Sequence, residues 1–298
     1  MSGILLWAQG TGNPAPIERL LAAGRYAEAL SALDRAPAAE KQSGEWHLLA
    51  SKAYDGLNDP KKAVEEAEDA LATNPRDERY HLQLGQIFLS RNTPQAANEI
   101  FNSALKLFPD SLPLLLGRGI SLLNLGRYEA AERDFETCLQ KNPGLGIAFE
   151  SLETAYLQTS RPELAAHTAS AWRTKYPDDY RGHYFFAAAE EQLAPDSGAE
   201  RKALEEALRA KPDYAPAKVL EAKMALRSGH PNEALALLQE AVRLRFDYPL
   251  AHVELAKTYR ALGRSADATR ELEILKRLSD QRPQSLAYHR GSDIPGRQ

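Results

Sequence analysis

Apolar residues recur by threes and fours along this chain, in runs separated by short polar breaks. From Glu78 the apolar positions are Leu82, Leu84, Ile87, Phe88 and Leu89, and the run breaks at Asn92-Thr93-Pro94. It resumes through Ala97, Ile100, Phe101, Ala104, Leu105 and Leu107, and stops at Pro109. That spacing is the period of an α-helix with one buried face, so the stretch predicts a helix, a tight turn and a second helix. Displaced along the chain, the pattern returns: Pro75, Pro109, Pro143 and Pro177 stand 34 residues apart. A fixed period of that length, built from helical hairpins, predicts an all-α solenoid in which each hairpin completes the core of the next.

The recurring positions have physical reasons. Small residues on the first helix (Gly85, Gly119, Ala256) and on the second (Ala63, Ala97, Ala131, Ala165, Ala234, Ala268) let paired helices approach closely. Aromatics such as Tyr54, Phe88, Tyr156 and Tyr259 fill the space between units. Gly126, Gly229 and Gly263 suit the left-handed position that ends a helix, and the prolines stop the second helix because they cannot continue its hydrogen-bond ladder. In the unit ending at Pro109, His81, Leu84, Gly85, Phe88, Ala97, Phe101 and Ala104 occupy these slots; in the next they are Leu115, Arg118, Gly119, Leu122, Ala131, Phe135 and Cys138. On these residues the chain resembles the tetratricopeptide-repeat family, whose signature is W-x₂-L-G-x₂-Y, A-x₃-F and a closing proline. About eight units fit, the first of them partial. The resemblance implies a right-handed superhelix with the first helix of each pair lining a concave groove.

The array is expected over residues 17–280. Residues 1–16 read as a flexible leader and 281–298 as a disordered tail. The interval from Pro177 to Pro212 is 35, so one residue is inserted, placed around Ala194–Gly198; the phase of the first helix in that repeat stays open by one residue. The run Ile4-Leu5-Leu6-Trp7-Ala8 is shorter than a secretory h-region and no Lys or Arg precedes it. A cytoplasmic location is the default expectation, and an exported or periplasmic one follows if the leader is the end of a truncated signal. No apolar run reaches the roughly 20 residues that span a bilayer.

Composition adds little to the fold and more to the partner. Of 298 residues 43% are hydrophobic and 26% charged, with a net charge of −4. The charge is polarised: residues 215–298 carry 14 Lys and Arg against 10 Asp and Glu, and residues 1–214 carry 23 against 31. A net −8 over most of the chain argues against nucleic acid, which needs a basic groove. Cys138 is the single cysteine, so an internal disulfide and a cysteine metal cluster are excluded, and a buried thiol is expected. None of the seven histidines has the i, i+4 spacing of a helical zinc site, and His47, His81 and His252 fall on one packing slot. Glu190-Glu191, beside an apolar run, is the candidate for a perturbed carboxylate. No phosphate loop or nucleophile elbow is present, and no cofactor, metal or catalytic residue is expected.

The function these features suggest is a non-catalytic protein-interaction scaffold. By the family resemblance, the groove positions are Leu82, Gln86 and Leu89, then Leu116, Ile120 and Leu123, then Thr154 and Leu157, and finally Lys223, Arg227, Lys257 and Arg260. An apolar middle and a basic end would suit a protein or peptide that is amphipathic and acidic. The family's lysine-rich clamp for chaperone tails is not matched: the corresponding early slots are Leu48, Lys52, Leu82, Gln86, Leu116 and Ile120. The alternatives are an RNA-binding helical repeat and a regulatory subunit of an enzyme complex. Self-association through the last helix also stays open.

Overall fold

The computed structural model describes residues 14–195 and 197–280, and all regular structure among them is helical. Sixteen α-helices follow in order: α1 (Ala15–Ala22), α2 (Tyr26–Leu33), α3 (Gly44–Gly56), α4 (Pro60–Thr73), α5 (Glu78–Ser90), α6 (Pro94–Leu105), α7 (Leu112–Asn124), α8 (Tyr128–Lys141), α9 (Gly146–Gln158), α10 (Pro162–Lys175), α11 (Tyr180–Leu193), α12 (Ala199–Ala210), α13 (Ala215–Arg227), α14 (Pro231–Leu244), α15 (Pro249–Ala261) and α16 (Ser265–Asp280). A 3₁₀ turn at Glu40–Gln42 precedes α3. Of the expected leader 1–16, residues 1–13 lie outside the described residues, as does the expected tail from 281, while Ala15 and Pro16 already belong to α1, with Pro16 buried. The chain divides between Pro143 and Gly144 into two compact units, α1–α8 and α9–α16.

Within each unit a helix packs on its hairpin partner, and the first helices of successive hairpins touch: α3 on α5 and α5 on α7 in the first unit, α9 on α11 and α13 on α15 in the second. The repeat period reappears in the turns. Gly24, Asn58, Asn92, Gly126, Ser160, Gly229 and Gly263 each follow a first helix, and each has φ between 53° and 78°. The next residue's N–H then reaches back to a carbonyl in the last turn, as Thr93 does to Phe88 and Arg127 to Leu122, both at 2.9 Å. This is the Schellman closure, and it satisfies carbonyls that the helix end would orphan. Four of these positions are glycine, two are asparagine, which tolerates the left-handed region, and one is Ser160.

The turn after α11 is the exception. Where the left-handed residue is due, Ala194 has a negative φ (−145°), and the left-handed residue arrives later, at Gly198 (φ 83°). The inserted residue therefore sits in this loop, as the proline spacing implies, and the open phase is settled. α11 keeps the 34-residue register of α9, while α12 to α16 run one residue later.

Glycines at close approaches explain the hairpin packing. A Cβ on Gly85 would stand 2.4 Å from the Phe101 ring, and one on Gly117 would stand 2.5 Å from the same ring. Phe101 is fully buried, so it lies between its own hairpin's first helix and the next one. Gly119 makes the equivalent seat for Phe135. The apolar reading of the second helix extends too far at one point: α6 ends at Leu105, and Leu107 is 46% exposed.

Histidine at the shared slot does more than pack. The ring Nε2 of His81, His183 and His252 meets the carbonyl six residues earlier, at Pro75, Pro177 and Phe246, at 2.7–2.8 Å. Each ring thus ties the end of one second helix to the following first helix. Cys138 is buried as expected, and burial pushes its thiol up to about 11.

One slot breaks the size rule. Gly85, Gly119 and Ala256 mark the small position of the first helix, and α9 carries Glu153 there, fully buried. Burial pushes its carboxyl up to about 8, opposed by the hydrogen bond that the Thr168 hydroxyl donates to it. Its second oxygen has no hydrogen-bond partner among the described residues. The folded protein therefore holds this acid protonated near neutral pH, whereas the unfolded chain ionises it near 4.5. The resulting destabilisation is absent below about pH 4.5, grows as pH rises and levels off above about 8.

Three measurements test this packing. Glu153→Gln should stabilise the protein at pH 7 by on the order of 2–3 kcal/mol, and the gain should vanish near pH 4.5; urea titrations at both values and at pH 9 check the sign. Gly117→Ala should cost roughly 1 kcal/mol, because overpacking the Phe101 ring outweighs the gain in helix propensity. That cost should shrink in a Phe101→Leu background. Ser160→Gly should add about 0.5–1 kcal/mol by relieving its left-handed backbone, read as a higher urea midpoint with an unchanged slope.

Candidate functional site

In the first unit, α5 and α7 lie side by side and present the expected positions together. Leu82, Leu89, Leu116, Ile120 and Leu123 are each half-buried, and Gln86 is exposed. These leucines are neither sealed in the core nor free of it. The neighbouring core residues on the same helices, Leu84, Ile87, Phe88 and Leu114, are completely buried, so the two sets lie on different sides of each helix.

In the second unit the six expected positions divide by chemistry. On α9, the Thr154 hydroxyl donates to the Glu150 carbonyl at 2.7 Å, and Leu157 packs against the cluster containing Ala187, Ala188 and Tyr214. On α13 and α15, Lys223, Arg227, Lys257 and Arg260 are all exposed. Arg227 is paired with Glu191, and Lys257 stands 2.8 Å from Glu254. The side chains of Lys223 and Arg260 make no ion pair or hydrogen bond among the described residues. Val219 and Leu226, which flank Lys223 on α13, belong to the core packed with Leu255 and Tyr259.

A group of tyrosines on this unit was not singled out from the sequence. Tyr184 occupies the α11 position equivalent to Glu150 on α9, 34 residues earlier. Its ring centroid stands 5.1 Å from that of Tyr214, at 87°, and Tyr180 approaches Tyr214 at 4.7 Å. The Tyr214 hydroxyl reaches Glu150 Oε1 at 3.4 Å, and Lys211 Nζ sits 4.7 Å from the Tyr180 ring centre. Burial raises the phenols of Tyr184, Tyr214 and Tyr248 above the usual range, and at Tyr184 and Tyr214 the Glu150 charge adds to it. Tyr214 and Tyr248 stand at helix N-caps, where Ser43, Asp77, Ser111 and Asp179 accept a backbone N–H in earlier repeats. Forgoing such a cap costs about 1 kcal/mol. A signal was available: Tyr180, Tyr214 and Tyr248 are 34 residues apart.

The other titratable groups are arranged as structure. Asp134 is buried and receives both Arg118 Nε and Nη2, at 2.8 and 2.6 Å, which raises the guanidinium above its ordinary value. Asp179 accepts from Arg181 and from the Trp172 indole at 2.9 Å, and these bonds outweigh burial and hold its carboxyl low. Glu191, of the Glu190-Glu191 pair, is engaged by Arg227, and a carboxylate that burial perturbs strongly lies at Glu153, which was not singled out from the sequence. A cleft of about 200 Å³ bounded by Arg201, Glu205, Glu221, His230 and Glu233 lies among α12, α13 and α14. Burial raises the Glu221 carboxyl there. Among the described residues, no helix is long and apolar enough to cross a membrane.

Comparisons with known proteins agree with this architecture. Sequence models of the tetratricopeptide repeat match residues 20–87 and 225–291, and a second such model matches 116–179. A curated relative, the cellulose synthase 2 operon protein C of Komagataeibacter xylinus, is 27% identical over 237 residues. The match covers 72% of this chain, and the chain spans 18% of that relative. Among solved structures, a tetratricopeptide repeat protein from Parabacteroides merdae is 18% identical with a TM-score of 0.65, covering 81% of this chain and 99% of that one. Yeast Tom70 is 18% identical with a TM-score of 0.62, covering 85% and 55%. These two share the fold. With sixteen helices in hairpins among the described residues, a 34-residue turn ladder and repeat matches in both units, the chain belongs to the tetratricopeptide-repeat family, whose repeats generally serve as protein-interaction scaffolds.

Proposed function

We propose that this chain is a non-catalytic scaffold that binds an acidic, amphipathic segment of a partner protein along the first helices of its hairpins. The observation that carries the reading is the pair Lys223 and Arg260, exposed and without a counter-charge on the neighbouring helices α13 and α15. Uncompensated cations on one face draw an anionic partner and set its orientation. In the first unit, taken by itself, the half-exposed leucines of α5 and α7 form an apolar surface of the kind that receives leucine-type anchors. A net −8 over residues 1–214 disfavours RNA as the ligand.

The likeness to a cellulose synthase operon protein favours a further specification, in which the partner belongs to a polysaccharide-synthesising assembly and this chain is its regulatory subunit. Capture from the native host with the full chain, followed by mass spectrometry, identifies the partner. The double charge reversal Lys223→Glu with Arg260→Glu should weaken that partner's binding by roughly tenfold at low salt and flatten its salt dependence. Affinity and salt slope equal to those of the natural chain would remove the basic face from the reading.

A further inference from the structure

Apart from the faces above, one set of metal-ligating side chains converges in the hairpin of α3 and α4. His47 comes from α3, and Glu66 and Asp69 come from α4, three residues apart on one side of the helix. One donor atom from each, a ring nitrogen and two carboxylate oxygens, lies within 4.8 Å of the other two. His47 Nδ1 stands 2.8 Å from Glu66 Oε2. The His47 and Glu66 side chains are only 17% and 20% exposed, while Asp69 is open to solvent, so the group is walled on one side and reachable on the other.

The last repeat supplies an internal comparison. His252 and Glu271 have the same sequence separation as His47 and Glu66, and they meet at 2.7 Å. There the ring is completely buried, and its Nε2 is committed to the Phe246 carbonyl at 2.7 Å. Three residues after Glu271 the chain has Ile274, which offers no donor. That pair is a structural tie. At His47 no bond to the carbonyl six residues back occurs among the described residues, and the residue three beyond the glutamate is Asp69. The first hairpin thus differs from the last in the respect that decides ligation, a third donor, since a ring whose Nε2–H is held by a carbonyl could still ligate through Nδ1.

We propose that His47, Glu66 and Asp69 form a binding site for a divalent cation of the zinc class. One imidazole and two carboxylates suit zinc or nickel better than calcium or magnesium, which prefer all-oxygen sets. Bonds of about 2.0–2.2 Å bring such donors to roughly 3.3 Å from one another, and the exposed Asp69 side chain can turn inward to meet that spacing. Coordination through Nδ1 needs its lone pair. The proton that Nδ1 shares with Glu66 then resides on Nε2, and the neutral ring changes tautomer without net proton loss. The bound ion would join α3 to α4 and stiffen the hairpin.

The test uses the full chain without a histidine tag, stripped with a chelator and titrated with zinc chloride by calorimetry. One zinc per chain is expected, together with a rise in melting temperature. Nickel should quench Trp46, whose ring centroid is 5.3 Å from that of His47. Asp69→Asn leaves the His47–Glu66 pair in place and should bind zinc at least about tenfold more weakly, while melting like the natural chain in chelator. Zinc binding of equal strength in Asp69→Asn, or no binding up to millimolar zinc, would overturn the site.

Discussion

A phenyl ring cannot enter the gap between two α-helices unless something is taken away to receive it, and at Phe101 what is missing is two methyl groups. Gly85 and Gly117 face the ring from successive first helices, and a side chain on either would overlap it. The second helix of one hairpin is therefore seated in both its own partner and the next hairpin. No single hairpin of this chain can bury its apolar side, so stability is a property of neighbours. The histidine ties from His81 to Pro75 and from His183 to Pro177 work at the same junctions with hydrogen bonds.

Much of this was legible because the constraint repeats. A glycine opposite an aromatic, a left-handed residue after most first helices and a proline after most second helices are local requirements, and each leaves a residue type at a fixed interval. Where the requirement can be met by several residues, legibility falls. Asn58, Asn92 and Ser160 adopt the same turn as the glycines, yet they do not announce it. The extra residue after α11 was visible as a changed proline interval, but a count of residues does not say which helix absorbs it. Backbone geometry does: Ala194 keeps a negative φ and Gly198 carries the left-handed turn.

The candidate faces were legible only as positions. Helical period places Leu82, Leu116 and Lys223 on one side of their helices, but exposure depends on what the neighbours leave uncovered. Arg227 and Lys257 look like Lys223 and Arg260 in the sequence, and they differ because Glu191 and Glu254 lie beside them. Glu153 shows the opposite failure. A glutamate in a slot otherwise filled by glycine, alanine or serine is a visible anomaly, but its burial follows from the approach of α10, which a one-dimensional pattern does not contain. The tyrosines at the caps of α13 and α15 were hidden for a related reason: aromatic residues are read as core, and these stand where earlier repeats place a capping oxygen.

The lengthened connection between α11 and α12 has a wider meaning for how such a chain can change. Adding a residue inside a helix turns everything beyond it by about a hundred degrees and exposes its greasy side. Adding one between helices, as in the connection after α11, shifts the later helices along the sequence and leaves their 34-residue spacing unchanged, as it is from α13 to α15 and from α14 to α16. This connection is a natural expansion joint, and it marks where the array can acquire or lose sequence without redrawing its surface.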